Sequence, residues 1–432
     1  MFHRPKNWPK SLPDYDWPAV LRGPGRAAGR VACAAVFHAC YLLGRVLSLV
    51  IRSRPAAVVI RTDGIGDAIL FEPALEALAR SLSPHDLHVW APAATCEVIG
   101  ASPVVRKRVG IPRGFKEGNL LVYRSVAWRA RLGFLLGFRS YEIAIYPAES
   151  PEPLGNWLLT SVRARIRWVN YGDTINQHDW QRAATHARVT RVLSIRPGAA
   201  HELIRNAYLS TQWGGSLDLR PPRIHPTAKA VDEAERQVQQ WRHVERQVRG
   251  SGVVAVIPTG SQPINRYPAE KWEAVLRQLW QEHRAMGALL GGPGDEEFID
   301  SITDRLGEVP FLRPGRVLGV LATAALIGRV DALISVDTGL AHAAIAQDVP
   351  SIILRIGGDP GRFFPWPGAH RSIVLSRAMP CEGCHNRCHL GEAKCITDVP
   401  PEEVVAAYAK LSVSRSIIEY AAPAARWMKV AG

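Results

Sequence analysis

An α/β architecture of two Rossmann-like domains facing a cleft follows from three features of the sequence. Short apolar runs alternate with amphipathic stretches from about residue 56 to 215, and a second series of the same kind follows. Most of the runs lack the polar alternation of half-exposed strands, which fits strands covered on both faces in a parallel sheet. At 432 residues the chain also exceeds one ordinary domain, and 47% apolar against 21% charged content leaves ample core.

Taken in order, residues 1–30 are rich in Pro, Trp and Arg without a period and read as an irregular basic arm; the arm and the segment after it form a region over 1–55. Val31 to Ile51 is the one membrane candidate. Arg45 interrupts it, and a spanning helix needs about 20 apolar residues. His38, Arg45 and Arg52 lie seven apart, a narrow polar stripe flanked by Arg22, Arg26, Arg30 and Arg54. Three readings stay open: a helix in an anionic interface, a helix packed on the domain, or a true span.

The first domain, 56–220, has strand candidates "AAVVIR", "LHVWAP", "NLLVYR", "EIAIYP" and "RIRWVNY". After the first comes a turn with Asp63, Gly64, Gly66 and Asp67, then helical spacing at Ile69, Leu70, Leu75 and Leu78. Such turns usually hold phosphate on helix N–H groups, but two carboxylates would repel a diphosphate. Asp67, near a helix start, is placed either to take a proton from an acceptor hydroxyl or to cap its helix. A polar, Pro-bearing stretch from about 171 to 225 includes the expected link.

The second domain, 221–410, opens with an amphipathic helix bearing Val231, Ala234, Val238 and Trp241 on one face. Strands "VVAVIP", "GALLGG", "ALISV" and "SIILRI" follow, and residues 411–432 read as a C-terminal helix. Three strand ends carry chemistry. Thr259, Gly260 and Ser261 end the first, with Arg266 beyond; Gly291, Gly292 and Gly294 lead to Asp295 and Glu296; Asp337 precedes Thr338, Gly339, Leu340 and His342. Helix starts and hydroxyls accept phosphate oxygens, arginine can hold two at once, and an acid can bind ribose. Each signal alone is an ordinary loop or cap; their order in one α/β domain points to a nucleoside-diphosphate site.

Lys and Arg number 53 against 39 Asp and Glu, a net charge of +14 that suits an anionic partner: headgroups, a phosphorylated saccharide or nucleic acid. Of seven cysteines, Cys381, Cys384, Cys388 and Cys395 form C-x2-C-x3-C-x6-C. Four thiolates so close can hold a structural zinc or iron, with His385 and His389 in reserve. Free thiols and a disulfide are the other readings. No cleavable signal peptide is evident, so a reducing cytoplasm is expected.

The pieces "RTDGIGDAILFEPALEAL", "PTGSQPINRYPAEKW", "LLGGPGDEE", "SVDTGLAHAAIAQDVPSIIL", "GGDPGRFFPWPG" and "CEGCHNRCHLGEAKCITDVPPEEV" run in this order over about residues 56–410. Together they resemble glycosyltransferase family 9, the ADP-heptose:lipopolysaccharide heptosyltransferases. The resemblance implies a GT-B fold and an inverting transfer of a sugar, heptose in the family, from a nucleotide donor to a saccharide acceptor such as lipopolysaccharide core. By position, Asp67 matches the general base, with Asp63, Gly64 and Gly66 on the acceptor-side loop. Thr259, Gly260, Ser261, Arg266, Asp337, Thr338, Gly339, Leu340 and His342 match the donor loops. Arg266 stands where relatives commonly have lysine. Gly294 stands where relatives can have a ribose-binding glutamate, with Asp295 and Glu296 adjacent. The arm before residue 56 has no counterpart in compact members.

The resulting expectation is a transferase that needs no cofactor for catalysis, takes ADP-heptose and an anionic lipid-linked acceptor, binds no nucleic acid, and sits at the inner face of the cytoplasmic membrane. A protein acceptor is the alternative within the family. A nicotinamide-dependent dehydrogenase is disfavoured because no G-x-G-x-x-G follows a predicted strand. A non-enzymatic nucleic-acid or metal binder is disfavoured because the basic residues are dispersed.

Overall fold

The computed structural model describes residues 27–51, 56–111, 126–194, 201–215, 217 and 219–414. Residues 1–26 of the arm, Arg52, Arg54, the expected strand "NLLVYR" and residues 415–432 of the expected C-terminal helix lie outside the described residues. Two compact units emerge. The first comprises Met1–Asp63, Ala79–Cys96 and Val104–Ile195; the second comprises Gly64–Leu78, Glu97–Pro103 and Arg196–Gly432.

In chain order the elements through the first sheet are α1 (Ala27–Val50), β1 (Ala56–Ile60), α2 (Ile65–Ser81), β2 (Asp86–Pro92), α3 (Ala93–Gly100), β3 (Val105–Ile111), α4 (Val126–Phe138), β4 (Ser140–Tyr146), α5 (Pro153–Ser161), β5 (Arg163–Asn170), α6 (Asp179–His186) and β6 (Arg191–Leu193). Every strand pairing is parallel, in the order β3-β2-β1-β4-β5-β6. That is the doubly wound Rossmann order, whose switch point lies between β1 and β4. β1 is central and buried along its whole length, as its unbroken apolar run requires. Val58, Ile60, Trp90, Tyr146 and Leu158 belong to one core cluster.

The remaining elements are α7 (Glu202–Gln212), α8 (Ala228–Gln247), β7 (Gly252–Ile257), α9 (Ala269–His283), β8 (Ala285–Leu289), α10 (Glu296–Thr303), β9 (Phe311–Leu312), α11 (Val320–Ile327), β10 (Ala332–Val336), α12 (Gly339–Ala346), β11 (Ser351–Leu354), β12 (Ser372–Leu375), α13 (Lys394–Thr397) and α14 (Pro401–Ser414). Their sheet runs β12-β11-β10-β7-β8-β9, again all parallel and again the Rossmann order, with its switch point between β7 and β10. The chain is thus built on two Rossmann-like sheets.

The stretch expected to hold the link is not loop throughout: α6, β6 and α7 fall within it. The membrane candidate is the single helix α1, whose Phe37 and Gly44 are buried against the first unit. Among the described residues no helix is long and apolar enough to cross a membrane. α2 belongs through Leu78 to the second unit. Its Ile69 and Leu70 share a core cluster with Ala341 of α12 and with Phe364 and Trp366.

Candidate active site

The donor loops predicted from sequence meet at the carboxyl ends of β7 and β10, where a sheet of this order binds ligands. Past β7 the chain folds back, so that Thr259 and Arg266 form an isolated antiparallel bridge. Gly260 N–H donates to Asn265 O at 3.0 Å. A Cβ at Gly260 would lie 2.3 Å from Asn265 Nδ2, so a larger residue here would push the Asn265 side chain aside. Asn265 Nδ2 in turn donates to Asp337 O, tying the β7 loop to the end of β10. Ser261 and Arg266 are exposed, and the Arg266 guanidinium sits 5.1 Å over the Phe298 ring. That stacking holds the planar group at the rim without spending its N–H donors on a carboxylate.

α12 begins beside this loop. Thr338 is its N-cap in extended conformation, and its side chain makes no capping hydrogen bond. The first N–H groups of the helix, those of Gly339 and Leu340 among them, have no partner inside it and carry the positive end of its dipole. The first turn of α2 packs directly on this start. A Cβ on Gly339 would lie 2.8 Å from Ile65 Cβ and 2.9 Å from Gly66 N, and one on Gly66 would lie 2.7 Å from His342 Cδ2. Two glycines therefore let two helix starts touch through their backbones.

The acids of the site divide by their surroundings. Asp63 is paired in a fork with fully buried Arg61, at 2.9 Å from Nε and 2.6 Å from Nη2, and its carbonyl accepts from Thr95 Oγ1. That pairing makes Asp63 a partner of the β1 end. Asp67 Oδ2 accepts the Gly64 N–H at 3.2 Å, the third-position contact of a capping box, so part of the capping role is real. Burial pushes the Asp337 carboxyl up to about 7; the charges of Asp359 and Asp67 add to the rise, and Arg355 opposes it. Asp295 Oδ2 and Glu296 Oε2 accept the N–H groups of Gly292 and Gly294, each at 2.8 Å, so both order the loop after β8.

His342 is a core residue. It is buried, stacked on Phe364 at 4.3 Å between centroids, and its Nδ1 accepts from Trp366 Nε1 at 2.9 Å. Burial, with His201 nearby, pulls its pKa down to about 3, so the ring is neutral and brings no charge to the donor loops. What it does bring is shape: its edge sits where Gly66 leaves room.

One set of residues escaped the sequence reading. Glu72, on α2, is buried and receives Arg220 Nη1 at 2.7 Å, Arg220 Nη2 at 3.0 Å, the Arg223 N–H at 2.9 Å and His225 Nε2 at 3.2 Å. Arg220 also reaches Glu76 at 2.8 Å. Burial alone would raise the Glu72 pKa; the bonds from His225, Arg220 and Arg223 outweigh it and bring it to about 2. This cluster fastens α2 to the segment leading into α8. Among the described residues it is also the group that brings three potential metal ligands within 4.8 Å of one another, Glu72, Glu76 and His225, but Arg220 already supplies the cation there.

Cys381, Cys384, Cys388 and Cys395 line one pocket with Gly357 and Met379, and no disulfide joins them. Cys395 is buried and its Sγ accepts the Gly357 N–H at 3.3 Å. Burial raises its pKa, and Cys384 and Cys388 raise it further. Thiolates are ligands for a thiophilic ion such as zinc or iron, but among the described residues no three of these sulfurs lie within 4.8 Å of one another. His385 is engaged elsewhere, 2.6 Å from Asp359.

Residues 175–393, just over half of the chain, match glycosyltransferase family 9 (heptosyltransferase). Among solved structures, a glycosyl transferase family 9 protein from Veillonella parvula DSM 2008 aligns with TM-score 0.65 at 18% identity, over 83% of this chain and 98% of that one. E. coli ADP-heptose lps heptosyltransferase II aligns with TM-score 0.59 at 17% identity, over 84% and 99%. E. coli heptosyltransferase WaaC with ADP-2-deoxy-2-fluoro heptose aligns with TM-score 0.57 at 14% identity, over 83% and 99%. At such identities the likeness shows the fold, that of GT-B heptosyltransferases. No curated protein sequence matches the chain. The dehydrogenase and non-enzymatic readings give way to the family match. By its sequence over residues 175–393 and by its fold, the chain belongs to glycosyltransferase family 9 and is a glycosyltransferase.

Proposed function

We propose that this enzyme is an inverting heptosyltransferase that moves heptose from ADP-heptose to a saccharide borne on an anionic lipid, such as a lipopolysaccharide core, at the inner face of the cytoplasmic membrane. The observation that carries the reading is the abutment of the α2 and α12 starts through Gly66 and Gly339. It sets the Asp67 carboxylate beside a helix start able to receive a diphosphate. The name of the E. coli WaaC structure supports ADP-heptose as the donor class.

In the proposed reaction Asp67 takes the proton of the acceptor hydroxyl as its oxygen attacks the anomeric carbon from the face opposite the diphosphate. The bond from that carbon to the diphosphate oxygen breaks, and ADP leaves with the electron pair. Arg266, Thr259, Gly260, Ser261 and the Thr338–Gly339–Leu340 helix start meet the charge that grows on the leaving oxygens. Asp295 and Glu296 are the acids next to Gly294, the position where the ribose would be met. Asp337, whose carboxyl burial pushes up to about 7, carries only part of a full negative charge beside the diphosphate at neutral pH. No step is assigned to a cofactor; a zinc or iron on the four cysteines, with no position left open, would be structural.

Calorimetric titration with ADP-heptose, UDP-glucose, GDP-mannose and NAD tests the donor. Binding of ADP-heptose at least tenfold tighter than the others is expected. Preference for another nucleotide would overturn the donor assignment.

A further inference from the structure

Helix α1 is packed the wrong way round for a protein that meets only water. Its inner face lies on α4 through small residues rather than through its leucines. A Cβ on Gly133 or Gly137 would lie 2.4 Å from Phe37 O or 2.1 Å from Tyr41 O, and one on Gly44 would lie 2.5 Å from Phe134 O. The Gly133-x3-Gly137 pair thus lets the two backbones approach closely, with Phe37 the large side chain of α1 that is buried beside them. The outer face takes what is left. Leu42, Leu43, Val46, Leu49, Val50 and Ile51 are exposed, Leu49 and Val50 at 77% and 80%. They recur at three- and four-residue spacing, as a buried stripe does, yet no described residue covers them. A contiguous exposed apolar face of this kind marks an interaction surface.

The charge around the face selects the partner. Neither α1 nor α4 contains an Asp or Glu. Arg45 lies on α1 near enough to Arg163 for the two charges to act on each other. Arg163 Nη1 is held by Ser48 Oγ at 3.0 Å and Gly137 O at 2.6 Å, across the seam between the helices. Arg139, just past the end of α4, stacks over Phe138 at 5.4 Å, and its charge reaches Lys107. Of the acids nearby, Glu142 is paired with Arg165, and Asp86 acts on His88 together with Arg139 and Lys107. A second copy docked face to face would set this cationic collar against itself. A layer with an apolar interior and anionic headgroups satisfies both features.

We infer that the outer face of α1 enters an anionic lipid surface to interfacial depth, with Arg45, Arg139 and Arg163 at the headgroups. The stripe expected from His38 and Arg45 does not make one polar solvent face: His38 is exposed, but Arg45 is half-buried, and Leu42, Leu43 and Leu49 share the exposed side of the helix. The inference deepens the lipid-borne acceptor of the proposed function without depending on the donor.

The test is co-sedimentation of the full chain with vesicles of phosphatidylglycerol and phosphatidylcholine at 3:7, beside vesicles of phosphatidylcholine alone. The variant is L42E/V46E/L49E, at exposed positions that leave the packing on α4 untouched. Its thermal unfolding and ADP-heptose affinity are measured alongside as controls on folding and on the donor site. Wild type should bind the anionic vesicles at least tenfold more tightly than the variant, and more tightly than it binds neutral ones, with the difference shrinking in 0.5 M salt. Equal binding by the folded variant would overturn the inference, and would place any lipid contact on the basic charge outside α1. A wild-type dimer that the variant breaks, without vesicle binding by either, would also overturn it and make the face a contact between copies.

Discussion

Replacing Glu72 by glutamine removes one charge and little volume from the cluster that fastens α2. The pKa of Glu72 falls from 4.5 to about 2, so its ionised form is favoured in the folded chain. Two and a half pH units correspond to about 3 kcal/mol at neutral pH. Because the folded pKa is depressed, this stability is fully present above pH 4.5 and fades as the pH falls toward 2. The amide keeps one acceptor oxygen, and Arg220 keeps Glu76, so the expected loss is about 2–3 kcal/mol rather than more. A domain of this size loses roughly 2–4 °C of Tm per kcal/mol, which gives a fall of about 5–10 °C at pH 7. Differential scanning calorimetry at pH 7 and pH 4 reads both quantities, and the gap between wild type and variant should narrow at pH 4. A Glu72→Gln protein within about 0.5 kcal/mol of wild type at pH 7 would refute the assignment of the cluster as the fastening of α2.

Three further outcomes follow from the site. Gly339→Ala places a methyl 2.8 Å from Ile65 Cβ; overpacking of this kind costs about 1–3 kcal/mol, and transfer should fall by more than the stability loss explains, because the two helix starts are pushed apart. Arg266→Ala should weaken ADP-heptose binding and slow turnover together, while Arg266→Lys recovers much of both; binding indifferent to the alanine change would move the diphosphate elsewhere. If the four cysteines hold a metal, protein purified without added metal carries about one zinc or iron per chain, and a chelator lowers its Tm; all four thiols open to alkylation in metal-free native protein would leave them as thiols.

What the sequence revealed depended on how locally each feature is encoded. Central strands were legible because burial on both faces demands unbroken apolar runs, as in the wholly buried β1, β7 and β10. β3 was missed because "VRKRVGI" exposes its charged residues, and β12 because its four residues are only half-buried. Helix starts with Gly-Asp or Thr-Gly signatures were legible for the same local reason. The Glu72 cluster was not, since Arg220 lies 148 positions away in sequence and no spacing rule links them. His342 looked like a ligand beside the diphosphate loops, and only the packing of Phe364 and Trp366 shows it as a neutral core ring. The outward turn of α1 was hidden as well. An apolar helix with scattered arginines is read from its polar side, but the glycines of α4 decide which face is covered.

The central claim is that Asp67 is the base and that the N-terminal capping contact it makes with Gly64 is secondary. Single-turnover transfer from ADP-heptose to an isolated lipopolysaccharide core acceptor by Asp67→Asn, with donor affinity measured on the same protein, tests it most directly. The amide can still accept the Gly64 N–H, so the helix start and the donor site survive, while the acceptor proton has nowhere to go. The account predicts a rate lower by about 10²–10⁴ with ADP-heptose affinity within a few-fold of wild type. Transfer at the wild-type rate would contradict it and leave Asp67 as a helix cap.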